Sequence, residues 1–365
     1  LRRRVRIGSP RVEQRGSWTR VSLRVAGRVL FFERDGGPLQ PAVEAFVCAL
    51  LPGAVRRELR LAIQQPVDPV FLAGAREVAS CLGGWWSRPA LPIEASTRAA
   101  KDLPAADWSR TDGPEAVGLC FTGGVDSFYS LLREPGRIGT LIYVHGYDVA
   151  LEDVERARRV RADLEAVAAA TSTRLVWLRS NLRVHPVGRW VGWEQAHGGA
   201  LAAAGHLVPG LARLHVAASF PQGYEHAWGS TARTDPLWSS SRLGVVHDGD
   251  EIWRSEKLRR IASHEIVQRR LRICWEHRSE ALNCGRCEKC VRTRLVLAQH
   301  GMLDRFEVFG DAPALDEAVQ DLPPLDPMLW PVYRAFLDPE IAPTISAALV
   351  RQLERSRAAA SRMRS

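Results

Sequence analysis

Two short stretches hold residue types that could do chemistry. Residues 121–127 read Phe-Thr-Gly-Gly-Val-Asp-Ser, between the apolar run 117–120 and a second one at 128–132. Gly123 and Gly124 would let backbone N–H groups approach an anion with no Cβ in the way. Thr122 and Ser127 add hydroxyl donors around Val125, and Asp126 stands where a helix N-cap, or an acid orienting a metal or water, is expected. Further along, Cys274, Cys284, Cys287 and Cys290 are spaced Cys-x9-Cys-x2-Cys-x2-Cys. Cys-x2-Cys bends the chain so that two thiolates share one tetrahedral ion, and four sulfurs match a closed structural zinc site. The rival is an iron–sulfur cluster, where the fourth Cys usually lies downstream and precedes Pro. Here Cys274 lies upstream, which favours Zn2+.

The surrounding pattern says what would position these residues. From residue 115 onward, strands and helices alternate: "AVGLCF", a helix in "DSFYSLLREPG", "GTLIYVHGYD", the helical "LEDVERARRVRADLEAVAAAT", "RLVWLRSN", a helix near 194–207 and "LHVAAS". Continuous apolar strands of this kind are buried on both faces of a parallel sheet. The helix at 151–171 is expected to bury Val154, Ala157, Arg161, Leu164 and Val167 or Ala168. The fold class is therefore α/β, an open parallel sheet flanked by helices, with a zinc-binding C-terminal element. Residues 1–108 read as a separate α+β domain: a hairpin in "WTRVSLRVAGRVLFFERDGG" with its turn at Gly27, a helix from Pro41 to Gly53, a strand in "RRELRLAI" and a linker beyond residue 87. Residues 109–310 form the nucleotide-binding domain, and 311–365 a helical extension. Cys48 and Cys81, set among apolar residues, read as core thiols.

In such a sheet, ligands bind beyond the carboxyl ends of the strands, where helix N-termini favour anions. The glycine turn lies at a strand-to-helix junction, and no Gly-Lys-Ser/Thr follows it to make a Walker A loop. It resembles the pyrophosphate loop of the PP-loop ATP pyrophosphatase superfamily, Ser-Gly-Gly-x-Asp-Ser, with Thr122 in place of the first Ser. The resemblance implies a fold of the HUP type. It also implies cleavage of ATP between its α and β phosphates with Mg2+ present, and adenylation of a substrate oxygen that then meets a nucleophile. Thr122, Gly123, Gly124, Val125, Asp126 and Ser127 would hold the pyrophosphate, with Asp126 and Ser127 in catalytic roles. The adenine would pack against the second strand near Val144 and His145, and Tyr147 and Asp148 close that strand as candidates to face the ligand. Together with the four cysteines and "ASHEIVQRRL" ahead of them, the loop resembles the 7-cyano-7-deazaguanine synthases over roughly residues 115–297. Those enzymes join ammonia to a deazaguanine carboxylate in queuosine-type biosynthesis. The extra terminal regions and "VHGYD" depart from that pattern, which leaves open a different carboxylate on a small molecule, peptide or protein.

After the strand ending near Ser219, residues 220–244 show no helix or strand period. A loop this long within a compact domain is usually functional. Glu225, His226, Arg233 and Arg242 are candidate substrate contacts, as is Asp235. Lys257 precedes the cysteines and is a candidate for touching phosphate. Two rival functions remain: a tRNA sulfurtransferase-like enzyme, which needs a reactive Cys or a cluster, and a non-catalytic module binding nucleotide or nucleic acid.

Net charge is +9, carried by Arg with only three Lys, Lys101, Lys257 and Lys289; this fits an anionic nucleotide better than a dedicated nucleic-acid surface. No apolar run approaches a membrane span, and "LRRRVRIGSPRVEQRG" leads into no hydrophobic signal segment, so a cytoplasmic protein is expected. The expected partners are ATP, a carboxylate substrate and ammonia or an amine, with a homodimer left open.

Overall fold

Contacts in the computed structural model divide the chain into Leu1–Thr122 with Ser130–Ile252, and Gly123–Tyr129 with Trp253–Ser365. The structure describes residues 4–89, 92–103, 108, 113–224, 227–337 and 341–362.

In chain order the first unit holds β1 (Arg4–Ile7), β2 (Arg11–Arg15), β3 (Trp18–Val25), β4 (Arg28–Asp35), α1 (Val43–Arg56), β5 (Arg60–Ile63), α2 (Pro69–Trp85), β6 (Ile93–Glu94) and β7 (Val117–Cys120). Next comes α3 (Val125–Leu132), which starts in the second unit and ends in the first. The first unit continues with β8 (Thr140–His145), α4 (Val154–Ala170), β9 (Arg174–Ser180), α5 (Trp193–Leu207), β10 (Arg213–Ala217) and β11 (Gly244–Asp248).

One sheet has the order β11-β10-β7-β8-β9-β4-β3-β2, and a small parallel sheet has the order β1-β5-β6. From β11 to β9 all neighbours are parallel. In order of appearance those five strands lie 5-4-1-2-3, a doubly wound arrangement whose order reverses between β7 and β10. Every residue of β7 and β8 is buried, which is why both read as unbroken apolar runs.

The first hundred residues are not a separate body. β4 pairs antiparallel with β9, Phe32 opposite Ser180 and Arg34 opposite Leu178, so the N-terminal strands extend the parallel sheet. The expected boundary near residue 108 marks a change of composition, whereas hydrogen bonds join β4 to β9 across it. The hairpin itself forms as expected from β3 and β4, with Ala26 and Gly27 at φ 50° and 77°, as a tight two-residue turn requires. α1, however, runs through Gly53 to Arg56. A Cβ at Gly53 would lie 3.1 Å from Val187 O and 3.2 Å from Trp190 Cβ, so this glycine serves close packing rather than helix termination. In α4 the buried stripe is Arg156, Ala157, Val160, Leu164, Val167 and Ala168, while Val154 is 67% exposed, so the core face is rotated from the expected one. Between β10 and β11 the described residues hold one short 3-10 turn, Asp235–Trp238, so the segment is irregular as expected, and β11 begins at its end with Gly244. Asp68 caps α2 by accepting from Val70 N at 3.0 Å and Phe71 N at 3.2 Å, and its second oxygen accepts from Ser241 N at 3.1 Å. Cys48 and Cys81 are buried, and burial raises both thiols, as expected of core cysteines.

The second unit joins the start of α3 to α6 (Arg254–Ile261), α7 (Glu265–Arg270), α8 (Glu288–Gln299), α9 (Leu315–Gln320), α10 (Trp330–Arg334) and α11 (Pro343–Arg362). α8 packs on α6 and α9, and α9 packs on α11. α11 buries Ala348, Leu349, Gln352, Leu353 and Ser356, and Gln352 Nε2 donates to Pro323 O at 2.7 Å. Among the described residues no helix is long and apolar enough to cross a membrane.

His206 at the end of α5 is buried, and its Nε2–H donates to Trp238 O at 2.8 Å. Burial pushes its pKa down from 6.5 to about 4. Folding therefore favours the neutral ring: that stability is fully present above pH 6.5 and is lost as pH falls through about 4. It amounts to about 3 kcal/mol. We expect urea midpoints to fall between pH 7 and pH 4.5, and His206→Gln to flatten that fall; an equal fall in the variant would place the acid sensitivity elsewhere.

Candidate functional site

The glycine turn follows β7 directly, at the strand where the sheet order reverses. Gly123 has φ 77°, a conformation glycine adopts freely and side-chain-bearing residues adopt at a cost. Its carbonyl accepts from Arg272 N at 2.8 Å, which ties the turn to the segment ahead of the cysteines. α3 begins at Val125, so the N–H groups of its first turn have no partner within the helix. Asp126 is thus the second helical residue rather than the N-cap. Ser127 is buried, and its Oγ donates back to Gly124 O at 3.0 Å. Thr122 is exposed.

Asp126 faces cations from α6. Arg254 donates to its Oδ2, and Lys257 Nζ lies 3.6 Å from its Oδ1. Lys257 is fully buried, with Tyr129 offering its ring at 5.9 Å. At this separation the Lys–Asp attraction is worth about 4 kcal/mol near a protein surface. Burying an ion costs several kcal/mol, so Asp126 roughly offsets one buried cation and cannot offset two. Burial lowers the Arg254 guanidinium pKa, Asp126 raises it, and Arg292 lowers it further. Lys289, half-buried on α8, is held down to about 8 by burial and by Arg254. Arg254, Lys257, Lys289 and Arg292 thus share this region with the carboxylates of Asp126 and Glu288. Arg254 and Lys289 were not singled out for this site in the sequence. A signal was there: two of the chain's three Lys, Lys257 and Lys289, gather at this point.

The four cysteines converge. Their sulfurs lie within 4.8 Å of one another, with Cys274 Sγ to Cys287 Sγ and Cys284 Sγ to Cys290 Sγ both at 3.9 Å. Thiolates around a tetrahedral ion with bonds of about 2.3 Å are separated by about 3.8 Å, so the cluster could hold a structural metal such as zinc. All four are buried and free of disulfides. Gly285 has φ 68°, and a Cβ there would lie 2.3 Å from Ala312 Cβ, so the turn between the cysteines requires glycine. Cys287 N donates to Cys284 Sγ at 3.3 Å, which supports negative charge on that sulfur. Hydrogen bonds from Cys287 and Cys290 hold the Cys274 thiol far below its usual range, and the Cys290 thiol is correspondingly raised. Asn283 splints the site: its Oδ1 accepts from Ile273 N at 2.9 Å and its Nδ2 donates to Leu271 O at 2.7 Å. Arg294 donates to Gly285 O at 3.0 Å and to Pro313 O at 2.6 Å, fastening the turn to the segment before α9.

The remaining expected residues that are described belong to the first unit. Val144 is core. His145 is buried, its Nε2–H donating to Ala150 O at 2.8 Å, and burial lowers its pKa. Tyr147 donates to Ala200 O at 2.8 Å, and Asp148 accepts from Tyr143 Oη at 2.7 Å and Val149 N at 2.9 Å. Side-chain bonding within the fold thus occupies the residues closing β8. Arg233 and Arg242 are both exposed and line two different cavities. Glu225 and His226 lie outside the described residues. Compared with family models, curated proteins and solved structures, the chain matches none.

Stripping metal with a chelator should lower the urea midpoint of the wild-type chain, since metal binding to such a cluster is folding free energy. Cys287→Ser should lose bound zinc by elemental analysis, and Gly285→Val should do so without touching a sulfur. Stability unaffected by chelation would show that the cluster holds no structural ion.

Proposed function

We propose that this protein is an ATP-dependent, AMP-forming enzyme of the PP-loop type. It adenylates a carboxylate or carbonyl oxygen, releases pyrophosphate and passes the activated group to a nitrogen nucleophile. The observation that carries this reading is the gathering of cations around the glycine turn. Lys257, which is buried, and Arg254 and Lys289, which are partly buried, act on Asp126 at the first turn of α3. A polyanion there would pair with these cations and use the open N–H groups of the helix.

The chain's own residues have distinct parts in this scheme. Gly123 and Gly124 admit the phosphate oxygens, Lys257 and Arg254 balance the charge that builds on the departing pyrophosphate, and Asp126 keeps both cations in place. Mg2+ would come with the phosphates, because Asp126 is already matched by two cations. The resemblance of the loop and cysteine spacing to the 7-cyano-7-deazaguanine synthases supports such chemistry, with the carboxylate here left open.

A sulfurtransferase has less support. Cys48, Cys81 and Cys120 are buried thiols raised by burial, and the other four cysteines converge where they could hold a metal. Raised, buried thiols such as Cys48, Cys81 and Cys120 are not reactive thiolates of the kind sulfur carriage needs. A binding module without catalysis would bind ATP and release no pyrophosphate.

Lys257→Met should weaken binding of ATP or pyrophosphate at least tenfold by titration calorimetry while leaving zinc content unchanged. Asp126→Ala should abolish ATP-dependent pyrophosphate release across a carboxylate library. Near-wild-type values in both variants would sink the assignment of the turn.

A further inference from the structure

In the first unit a second group of polar residues has the geometry of a proton-transfer site. Asp235 is fully buried at the end of the irregular segment, and His247 lies near the end of β11. His247 Nδ1–H donates to Asp235 Oδ2 at 2.7 Å, and Ser230 Oγ–H donates to the same oxygen at 2.6 Å. A carboxylate held this way fixes the imidazole tautomer and leaves the Nε2 lone pair outward. Among the described residues Nε2 has no hydrogen-bond partner, and His247 lines a cavity of about 60 Å3.

The lining narrows the ligand. Trp85, Phe220, Tyr224 and Trp228 supply aromatic surface, and Asp250 adds a carboxylate. Phe220 stacks on Tyr224 at 5.4 Å and meets Trp228 edge-on at 5.8 Å, so this wall is built rather than incidental. Among the described residues of the lining Arg233 is the one Arg or Lys, and it is exposed. Aromatic rings attract cations, and the imidazole lone pair accepts an N–H. The volume admits a few non-hydrogen atoms and excludes a nucleobase or sugar.

We propose that Asp235 and His247 form a binding and deprotonation site for ammonium or a small primary ammonium group. The ligand donates an N–H to His247 Nε2. Its proton passes to that nitrogen, leaving a neutral amine with its lone pair and an imidazolium balanced by Asp235. Using this amine as the nucleophile rests on the adenylating reading above; the site itself rests only on these side chains.

The test is nitrogen-15 NMR of the histidine rings in the full chain without nucleotide, titrated with ammonium, methylammonium or potassium chloride at equal ionic strength. In the wild type we expect the Nδ1–H tautomer at His247 and a saturable response to ammonium and methylammonium but not to potassium. His247→Gln should remove the saturable effect on the cavity tryptophans' fluorescence, and Asp235→Asn should weaken binding at least tenfold and disturb the tautomer. If Asp235→Asn loses its circular dichroism signal, His247→Gln carries the comparison alone. A proton on Nε2 in the wild type, the same response to potassium, or unchanged binding in His247→Gln would overturn the proposal. Pyrophosphate titration of the same samples reports on the glycine turn separately, so one reading can fail without the other.

Discussion

Asp126 holds Arg254 and Lys257 in one small volume, and the second unit is organised around that charge group. Two cations on one carboxylate are more positive charge than a protein interior tolerates cheaply. The arrangement stands because α6 brings both cations to the same carboxylate and Arg272 N pins the glycine turn through the Gly123 carbonyl. α8 adds Lys289 from behind, and α8 is itself anchored by the cysteine cluster at its start, with Cys287 as its N-cap residue. The metal cluster and the glycine turn are thus coupled through one helix. Loss of an ion at the cysteines would loosen the element that carries Lys289.

The same logic separates structural from chemical polar groups elsewhere. His145, Tyr147 and Asp148 look like ligand contacts when only their types are known, yet each uses a side-chain atom within the fold, His145 Nε2, Tyr147 Oη and Asp148 Oδ1. His247 differs because Asp235 takes its Nδ1 while the residue lines a cavity. What distinguishes a site from a satisfied core is therefore the direction of the remaining lone pair or charge, which residue type does not reveal.

Much of the architecture was legible because it is local. Buried parallel strands read as unbroken apolar runs, and the tight hairpin announced itself through alternation and Gly27. The cysteine spacing announced the convergence of four sulfurs because two Cys-x2-Cys turns can be recognised without knowing the rest of the fold. The failures were non-local. Gly53 looked like a helix terminator, but it is kept small by Trp190 and Val187, far along the chain. The first hundred residues looked like a separate domain because nothing local reports that β4 will pair with β9.

By itself, the sequence determined the parallel α/β core, the glycine turn between strand and helix, and the convergence of four sulfurs, because each depends on residues a few positions apart. Only the tertiary structure decided that Arg254, Lys257 and Lys289 share the space around Asp126, and that Asp235 aligns His247 on a cavity. Both follow from the packing of segments distant in the chain, where charge and lone-pair direction are set by neighbours that no short stretch of sequence contains.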